Sequence, residues 1–255
     1  MKIAIQLYTI RETYGSIEEF SKAVKILSDI GYRYVETAGL ANLTPEKFKK
    51  IMDDNGLKIC SSHVGLDRIL KEPQVVASEQ LALNALCCNI SWPGSQSHDI
   101  EAIKKIVEKI EKAASMLKTH GIILGYHNHG IEFAKCDGKT WLEIIMEGVS
   151  PETLTTQIDT YWVQYGGGDP AMWIKKYANR LNSIHFKDMG MSHDNKQAMV
   201  PVGTGNLNWQ KILAAAKEST AKYAIVEMDF CPLYPLWEAI RISFENMKNW
   251  GLESE

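Results

Sequence analysis

Short apolar runs rich in β-branched and aromatic residues alternate with longer amphipathic segments along the chain. The longer segments repeat apolar residues at the spacing of one helix face, as Phe20, Val24 and Leu27 do within residues 16–31. The short runs, which we predict to be strands, lie at residues 2–8, 32–38, 57–64, 87–92, 122–129, 154–159, 181–187 and 222–228. Strands that alternate with helices predict parallel βαβ units.

Eight such units in 255 residues predict a closed (β/α)8 TIM barrel, because an open doubly wound sheet usually has fewer strands. We expect one domain over residues 1–255, since no linker or low-complexity tract divides the chain. Ser16 and Thr44 are suited to cap helix amino ends, and Gly31 to end a helix. Residues 188–206, rich in Gly, Asp, Asn and Met, predict a long loop after the seventh strand.

Composition narrows the class of protein. Apolar residues make up 45% and charged residues 23% of the chain, which is typical of a soluble globular protein. The net charge of −3, without a cluster of basic residues, argues against a nucleic-acid partner. Five cysteines without CxxC spacing favour a reducing cytoplasm. No apolar run is long enough for a membrane span or a signal segment, so we expect a cytoplasmic protein with no membrane partner.

Four predicted strands end on residues that can bind a metal ion: His127, Asp159, His185 and Glu227. Side chains at the carboxyl ends of barrel strands meet over one mouth, however far apart they lie in sequence. Taken singly, a strand-end histidine is more often structural, and Asp159 could cap the following helix. Together, two imidazoles and two carboxylates predict a site for one divalent cation, with Mn, Co or Zn favoured over Mg.

Longer motifs at the same strand ends carry a family resemblance. They are IQLYTIR at 5–11, GYRYVE at 31–36, GYHNHGIEF at 125–133, QIDTYWVQYGGGDP at 157–170, HFKD at 185–188 and PVGTGNLNW at 201–209. In this order they resemble the xylose-isomerase-like TIM barrel family, which includes sugar phosphate isomerases and epimerases, inosose dehydratases and relatives of endonuclease IV. The resemblance implies a metal-dependent enzyme of carbohydrate metabolism.

The fifth strand departs from the pattern of that family. Its members commonly bind the cation through Glu, Asp, His and Glu at the ends of the fifth to eighth strands. The resemblance therefore assigns Asp159, His185 and Glu227, and it places His127 where the family has Glu. His129, on the same strand face as His127, and Glu132 are alternatives for that position. An endonuclease with this fold is disfavoured, because it would need further ligands and a basic groove.

The expected chemistry is abstraction of a proton next to a carbonyl through an enediolate. Glu227 and His129 are the predicted general bases, and Lys187 is placed to stabilise oxyanion charge. We favour a sugar or sugar-phosphate isomerase or epimerase. One alternative is a lyase that dehydrates an inosose or cleaves a 3-keto-glycoside, and another is a catalytically inactive barrel that binds a sugar.

Further side chains are expected to contact a small-molecule carbohydrate at the barrel mouth. They are Gln6, Tyr8, Glu36, His63, Trp92 and Trp162. Each has a structural alternative, and the tryptophans could be packing residues. The sequence leaves the substrate unnamed. A homodimer is one option for the oligomeric state, since many barrels of this kind pair.

Overall fold

Eight parallel strands close into a barrel in the computed structural model, which describes residues 1–91 and 99–254. The barrel strands, β1 to β8 in chain order, are Lys2–Gln6, Tyr34–Ala38, Lys58–His63, Cys87–Ile90, Ile123–His127, Leu154–Asp159, Leu181–Phe186 and Tyr223–Val226. Each strand pairs with its neighbours in the chain, and β8 pairs with β1 to complete the closure. The predicted (β/α)8 TIM barrel is confirmed.

Helices connect the strands and pack on the barrel. In chain order, α1 to α10 are Ile17–Ile30, Pro45–Asp54, Leu66–Lys71, Pro73–Leu83, Ile100–Lys118, Trp141–Gly148, Thr160–Tyr165, Pro170–Lys176, Trp209–Lys217 and Leu236–Asn249, with short 3₁₀ helices at Leu7–Gly15, Ile131–Phe133 and Ala178–Arg180. The apolar face predicted for α1 is buried in the main core, where Phe20 and Leu27 pack with β-strand residues such as Val35. Among the described residues, no helix is long and apolar enough to cross a lipid bilayer.

The predicted helix caps are confirmed. Ser16 Oγ accepts a hydrogen bond from the backbone of Glu19, and Thr44 Oγ1 caps α2 in the same way. Gly31 ends α1 with φ of 123°, a backbone angle that glycine adopts without a steric penalty. These local signals explain why the helix boundaries could be predicted from sequence.

Several strands start or end up to two residues inside their predicted bounds, and the segment after the seventh strand is not a loop throughout. We expected the first strand to reach residue 8, but β1 ends at Gln6, because Gln6 Oε1 accepts from Tyr8 N and starts the 3₁₀ helix. We expected residues 188–206 to be a long loop, but Asp188–Met191 pairs with Gln197–Val200 as an antiparallel hairpin. A smaller hairpin joins Lys135–Cys136 to Lys139–Thr140.

The interior of the barrel is unusually polar. Bulky branched side chains fill the interior of most TIM barrels. Here Ala4, Tyr34 and Ile225 form a small apolar cluster that is separate from the main core. A buried polar layer lies on the same inward-facing positions, and it consists of Gln6, Glu36, Ser61, Asn89, Gln157 and Ser183. Hydrogen bonds from this layer position His127 and His185 at the barrel mouth.

Candidate functional site

A cavity of about 450 Å³ opens at the carboxyl ends of the barrel strands. Its lining residues are Tyr8, Ala38, His63, Val64, Gly65, Ser91, His127, His129, Trp162, Glu227 and Asp229. Three of the predicted substrate contacts, Tyr8, His63 and Trp162, are therefore among the residues of the mouth. Tyr8 is 41% exposed, so its ring is accessible to a bound molecule.

The ligand atoms of His127, Asp159, His185 and Glu227 lie within 4.8 Å of one another, and all four residues are buried. His127 ends β5, Asp159 ends β6, and Glu227 follows β8 directly. The register pairs His185 of β7 with Asp159 on one side and with Ile225 on the other. Glu227 is two residues beyond Ile225, so it faces the same side of its strand.

The hydrogen bonds of His127 determine its tautomer. Gln157 donates through Nε2 to Glu36 and Ser183, so Gln157 Oε1 is the acceptor of that amide. His127 Nδ1 donates to this oxygen at 2.9 Å. His127 Nε2 therefore carries a lone pair, and it faces Asp159 Oδ2 at 3.9 Å. A histidine that binds a metal commonly donates its other nitrogen in this way.

A buried carboxylate orients His185. Glu36 Oε1 lies 2.6 Å from His185 Nε2, and the same carboxylate accepts hydrogen bonds from Gln6 and Ser61. An ionised carboxylate only accepts, so His185 Nε2 carries a proton, and Nδ1 lies 2.9 Å from Glu227 Oε2. Burial lowers the pKa of His185, but the charges of Glu36 and Glu227 outweigh burial and raise it to about 10.

The donor set fits a divalent cation. Nitrogen and oxygen ligands that lie about 2.0–2.2 Å from one ion are separated from each other by about 3–4 Å. Asp159 Oδ2 is 3.9 Å from both His127 Nε2 and His185 Nδ1. No hydrogen bond within the described ranges reaches Asp159 Oδ2, although Lys187 Nζ lies 3.1 Å away as an ion-pair partner. His63, His127 and His185 form a second group of residues whose ligand atoms lie close enough to bind one ion.

Lys187 is buried among three carboxylates. Its Nζ lies 2.7 Å from Glu227 Oε2, 3.1 Å from Asp159 Oδ2 and 2.9 Å from Asp229 Oδ2. Burial lowers the pKa of Lys187, but these carboxylates raise it well above its usual value, so the side chain stays an ammonium. Asp229 was not among the predicted site residues. Its position could have been predicted, because Asp229 follows Glu227 by two residues and side chains two apart on a strand share a face.

Burial and neighbouring charges set the ionisation of the cluster. Burial raises the pKa of Asp159 to about 6, against the opposing charges of Lys187 and His185. Burial also lowers the pKa of His127 well below its usual value, and the charge of His185 lowers it further. Burial opposes the ionisation of Glu227, but Lys187 and His185 hold its pKa below its usual range. At neutral pH the cluster presents a neutral imidazole at His127 and an ionised Glu227.

The two alternatives for the fifth-strand ligand lie in different positions. The Glu132 carboxylate accepts from Tyr126 OH at 2.9 Å and from His129 N at 2.8 Å, and burial raises its pKa to about 7. Glu132 thus stabilises the turn after β5. The His129 ring lines the mouth, with its centroid 5.0 Å from that of His127 and 5.6 Å from that of Trp162. Burial lowers the pKa of His129 to about 3.

Two predicted substrate contacts lie below the mouth. Gln6 and Glu36 are both 0% exposed, and Gln6 Nε2 donates to Glu36 at 2.8 Å. β2 continues for two residues beyond Glu36 to Ala38, which lines the cavity instead. Glu36 therefore contacts the side chains that support the site, and its carboxylate has no surface open to the cavity. Trp92 lies outside the described residues.

A family model described as a xylose isomerase-like TIM barrel matches residues 24–250. The chain belongs to this family. The match includes strands β2 to β8 and all four residues of the His127, Asp159, His185 and Glu227 cluster. The family resemblance predicted from the strand-end motifs is confirmed.

Individual relatives are distant in sequence. The inosose dehydratase of Geobacillus kaustophilus (strain HTA426) is 21% identical in an alignment 186 residues long that covers 64% of this chain and only 60% of that protein. A sugar phosphate isomerase/epimerase from Parabacteroides distasonis ATCC 8503 has a TM-score of 0.82 at 20% identity, with 97% of each chain covered. The IolI protein, solved with a zinc atom, has a TM-score of 0.75 at 16% identity and covers 98% of this chain and 97% of its own. At these identities the solved structures show a shared fold.

Proposed function

We propose that this chain is a divalent-metal-dependent enzyme that abstracts the proton next to the carbonyl of a sugar, a sugar phosphate or a cyclitol. One observation carries the proposal: four ligand atoms from His127, Asp159, His185 and Glu227 lie within 4.8 Å of one another beside an open cavity. The names of the relatives support a carbohydrate substrate, because one is an inosose dehydratase and another a sugar phosphate isomerase/epimerase.

The cation would be held by His127 Nε2, Asp159, His185 Nδ1 and Glu227. When bound, it supplies a Lewis acid that polarises a substrate carbonyl and acidifies the adjacent C–H group. Two imidazoles among the ligands favour Mn, Co or Zn over Mg. The zinc atom in the solved IolI structure supports a cation of this kind.

Two side chains of the mouth are suited to take the substrate proton. The His129 ring is neutral above pH 3, because burial lowers its pKa to about 3, and it lines the cavity. The Glu227 carboxylate also lines the cavity and is ionised. Both groups are therefore unprotonated at neutral pH, and each has a lone pair that can accept the proton. The Lys187 ammonium, 2.7 Å from Glu227, would stabilise negative charge that develops on a substrate oxygen.

The destination of the proton decides the reaction type. Return to the opposite face of the same carbon is epimerisation, and return to the neighbouring carbon is aldose–ketose isomerisation. Our first candidate is an isomerase or epimerase, supported by the name of the Parabacteroides structure. The second candidate is a lyase, in which loss of a β leaving group follows proton abstraction. The inosose dehydratase relative supports this second candidate about as well.

Deuterium exchange tests the step that both candidates share. The protein loaded with Mn would be incubated in D2O with free sugars, sugar phosphates, inososes and 3-keto-glycosides, and NMR would follow the proton next to the carbonyl. We expect exchange in the wild type and none in Glu227→Gln. The matched control Glu218→Gln, an exposed carboxylate at the end of α9, should exchange like the wild type.

The products then separate the two candidates. An isomer of unchanged mass indicates isomerisation or epimerisation, and loss of water or of an aglycone indicates elimination. Retained exchange in Glu227→Gln would remove Glu227 as the base. Failure to bind Mn, Co or Zn near stoichiometrically, together with no exchange on any substrate, would overturn the proposal in favour of an inactive sugar-binding barrel.

A further inference from the structure

The amino ends of the barrel strands surround a second cavity of about 590 Å³, at the end of the barrel opposite the mouth. Strand-starting residues form much of its lining, among them Tyr34 of β2, Lys58 of β3, Cys87 of β4 and Tyr223 of β8. A volume of this size is within the range of pockets that bind small molecules. The proposed reaction takes place at the other end and makes no use of this cavity.

Small side chains at inward-facing positions account for the cavity. Cys60, Cys87, Thr155 and Ser183 line it, at positions where most TIM barrels carry bulky branched residues. Asn182 also lines the cavity, and its Nδ2 donates to Asn89 Oδ1 at 2.7 Å. The floor is therefore polar and rich in hydrogen-bonding groups.

The two thiols of the floor are uncharged. Burial raises the pKa of the Cys60 thiol and of the Cys87 thiol well above the usual range, so both stay protonated at neutral pH. Cys87 Sγ accepts from Asn182 Nδ2 at 3.1 Å, and Cys60 Sγ donates to the backbone oxygen of Val35 at 3.2 Å. Neither thiol repels a bound anion.

The walls of the cavity are apolar and partly aromatic. The rings of Tyr34 and Tyr223 lie 5.4 Å apart, tilted by 52°. Leu86 and Ile123 line the cavity and are 49% and 50% exposed. An apolar ring bound here would cover surface that is otherwise open to water, which favours binding.

The charge at the rim is positive. Three lysines line the cavity, and the acid Asp53 forms an ion pair with one of them, Lys49, at 2.6 Å. Within residues 1–91 and 99–254, no carboxylate lies at ion-pair distance from the other two, Lys58 and Lys222. Both are exposed, so their ammonium groups are available to an anion.

We propose that this amino-end cavity binds a small organic anion, with an apolar ring packed against the adjoining Tyr34 and Tyr223 rings and a carboxylate or phosphate beside Lys58 and Lys222. The site is independent of the proposed reaction at the mouth. Its ligand would be recognised by the combination of a ring and a single anionic group, which the apolar walls and the two rim cations complement.

Fluorine NMR with 4-fluorobenzoate, 4-fluorophenyl phosphate and neutral 4-fluorobenzamide tests the proposal. We expect saturable binding of at least one of the two anions, with the tighter one identifying the anionic group, and roughly tenfold weaker binding of the benzamide. In the double variant Lys58→Gln/Lys222→Gln the preferred anion should bind about tenfold more weakly. The control Lys112→Gln/Lys118→Gln, on the exposed face of α5, should bind it like the wild type.

Three outcomes would overturn the proposal: no saturable binding of either anion, equal binding of anion and benzamide, or unchanged binding in the double variant. Binding that is lost in Glu227→Gln and kept in the double variant would place the ligand at the mouth and also refute the proposal. Because Lys58 and Lys222 are exposed, the double variant should keep the circular dichroism spectrum of the wild type. Failure of the metal or exchange experiments at the mouth would leave this test unaffected.

Discussion

Glu36 Oε1 lies 2.6 Å from His185 Nε2, inside the barrel and one layer below the mouth. This contact directs His185 Nδ1 toward Glu227 and Asp159. Carboxylates that orient a metal-binding histidine commonly contribute a factor of about 10–100 to metal affinity. We therefore expect Glu36→Gln to weaken Mn or Zn binding by about that factor, measured by competition with a chelating dye.

The control for this variant is Glu79→Gln, which removes a carboxylate that pairs with Arg68 near the surface. It should leave metal affinity unchanged, because Glu79 lies on α4 outside the barrel. Equal metal affinity in Glu36→Gln and wild type, with both proteins folded by circular dichroism, would show that Glu36 does not act through His185.

The stability of the metal-free protein should depend on the Lys187 ammonium within the site. Lys187→Met would leave Asp159, Glu227 and Asp229 close together without their shared counter-charge. Removal of one partner from a buried ion pair costs about 3–5 kcal/mol, which corresponds to a decrease of roughly 10 °C in the melting temperature. We expect that decrease in the metal-free variant, measured by differential scanning fluorimetry.

A divalent ion should restore the missing counter-charge. We therefore expect added Mn or Zn to raise the melting temperature of Lys187→Met more than that of the wild type. Lys211→Met, an exposed lysine on α9, is the matched control and should behave like the wild type. A smaller metal-induced increase in Lys187→Met than in the wild type would contradict a shared site for the ammonium and the ion.

The barrel could be predicted from sequence because each strand carries its own local signal. β6, Leu154–Asp159, agrees with its predicted run at both ends, and α1 begins and ends where Ser16 and Gly31 indicate. Their positions at strand ends also predicted that the side chains of His127, Asp159, His185 and Glu227 meet over one mouth. A strand end has a local signal, so one sequence suffices to predict it.

The height of a residue in the barrel could not be predicted in this way. Glu36 and Glu227 both face inward, but β2 runs on to Ala38, whereas β8 ends at Val226. The pairing and tilt of the strands in the closed barrel determine that Glu36 is fully buried below the mouth while Glu227 lines it. The hairpin within residues 188–206 was missed for a related reason, because its pairing depends on contacts beyond the local pattern.

Asp188 organises the loop that follows the hairpin. Its carboxylate accepts from Gly203 N and Gly205 N, both at 2.9 Å, and from Trp209 Nε1 at 2.6 Å. In Asp188→Asn an amide group would face several of these donors, and hydrogen bonds to a charged group contribute about 1.5–3 kcal/mol. We expect a loss of about 3 kcal/mol in the free energy of unfolding, measured by urea denaturation with tryptophan fluorescence.

The matched control is Asp169→Asn. Asp169 caps α8 by accepting from Ala171 N and Met172 N, and asparagine caps helices about as well as aspartate. This variant should therefore unfold within about 0.5 kcal/mol of the wild type. Similar stabilities of the two variants would show that the loop does not depend on the charge of Asp188.

The buried carboxyl of Glu132 should make stability depend on pH. Burial raises its pKa from 4.5 to about 7 in the folded protein, where it accepts from Tyr126 OH and His129 N. Between these two pKa values the folded state binds more protons than the unfolded state, so the contribution of this group falls as pH rises from about 4.5 to 7. The full effect is at most about 3 kcal/mol. In Glu132→Gln, which keeps an acceptor oxygen, this part of the pH dependence should be absent.

Urea denaturation of both proteins at intervals from pH 5 to 8 measures the difference in their free energies of unfolding. A constant difference across that range would mean that Glu132 titrates normally.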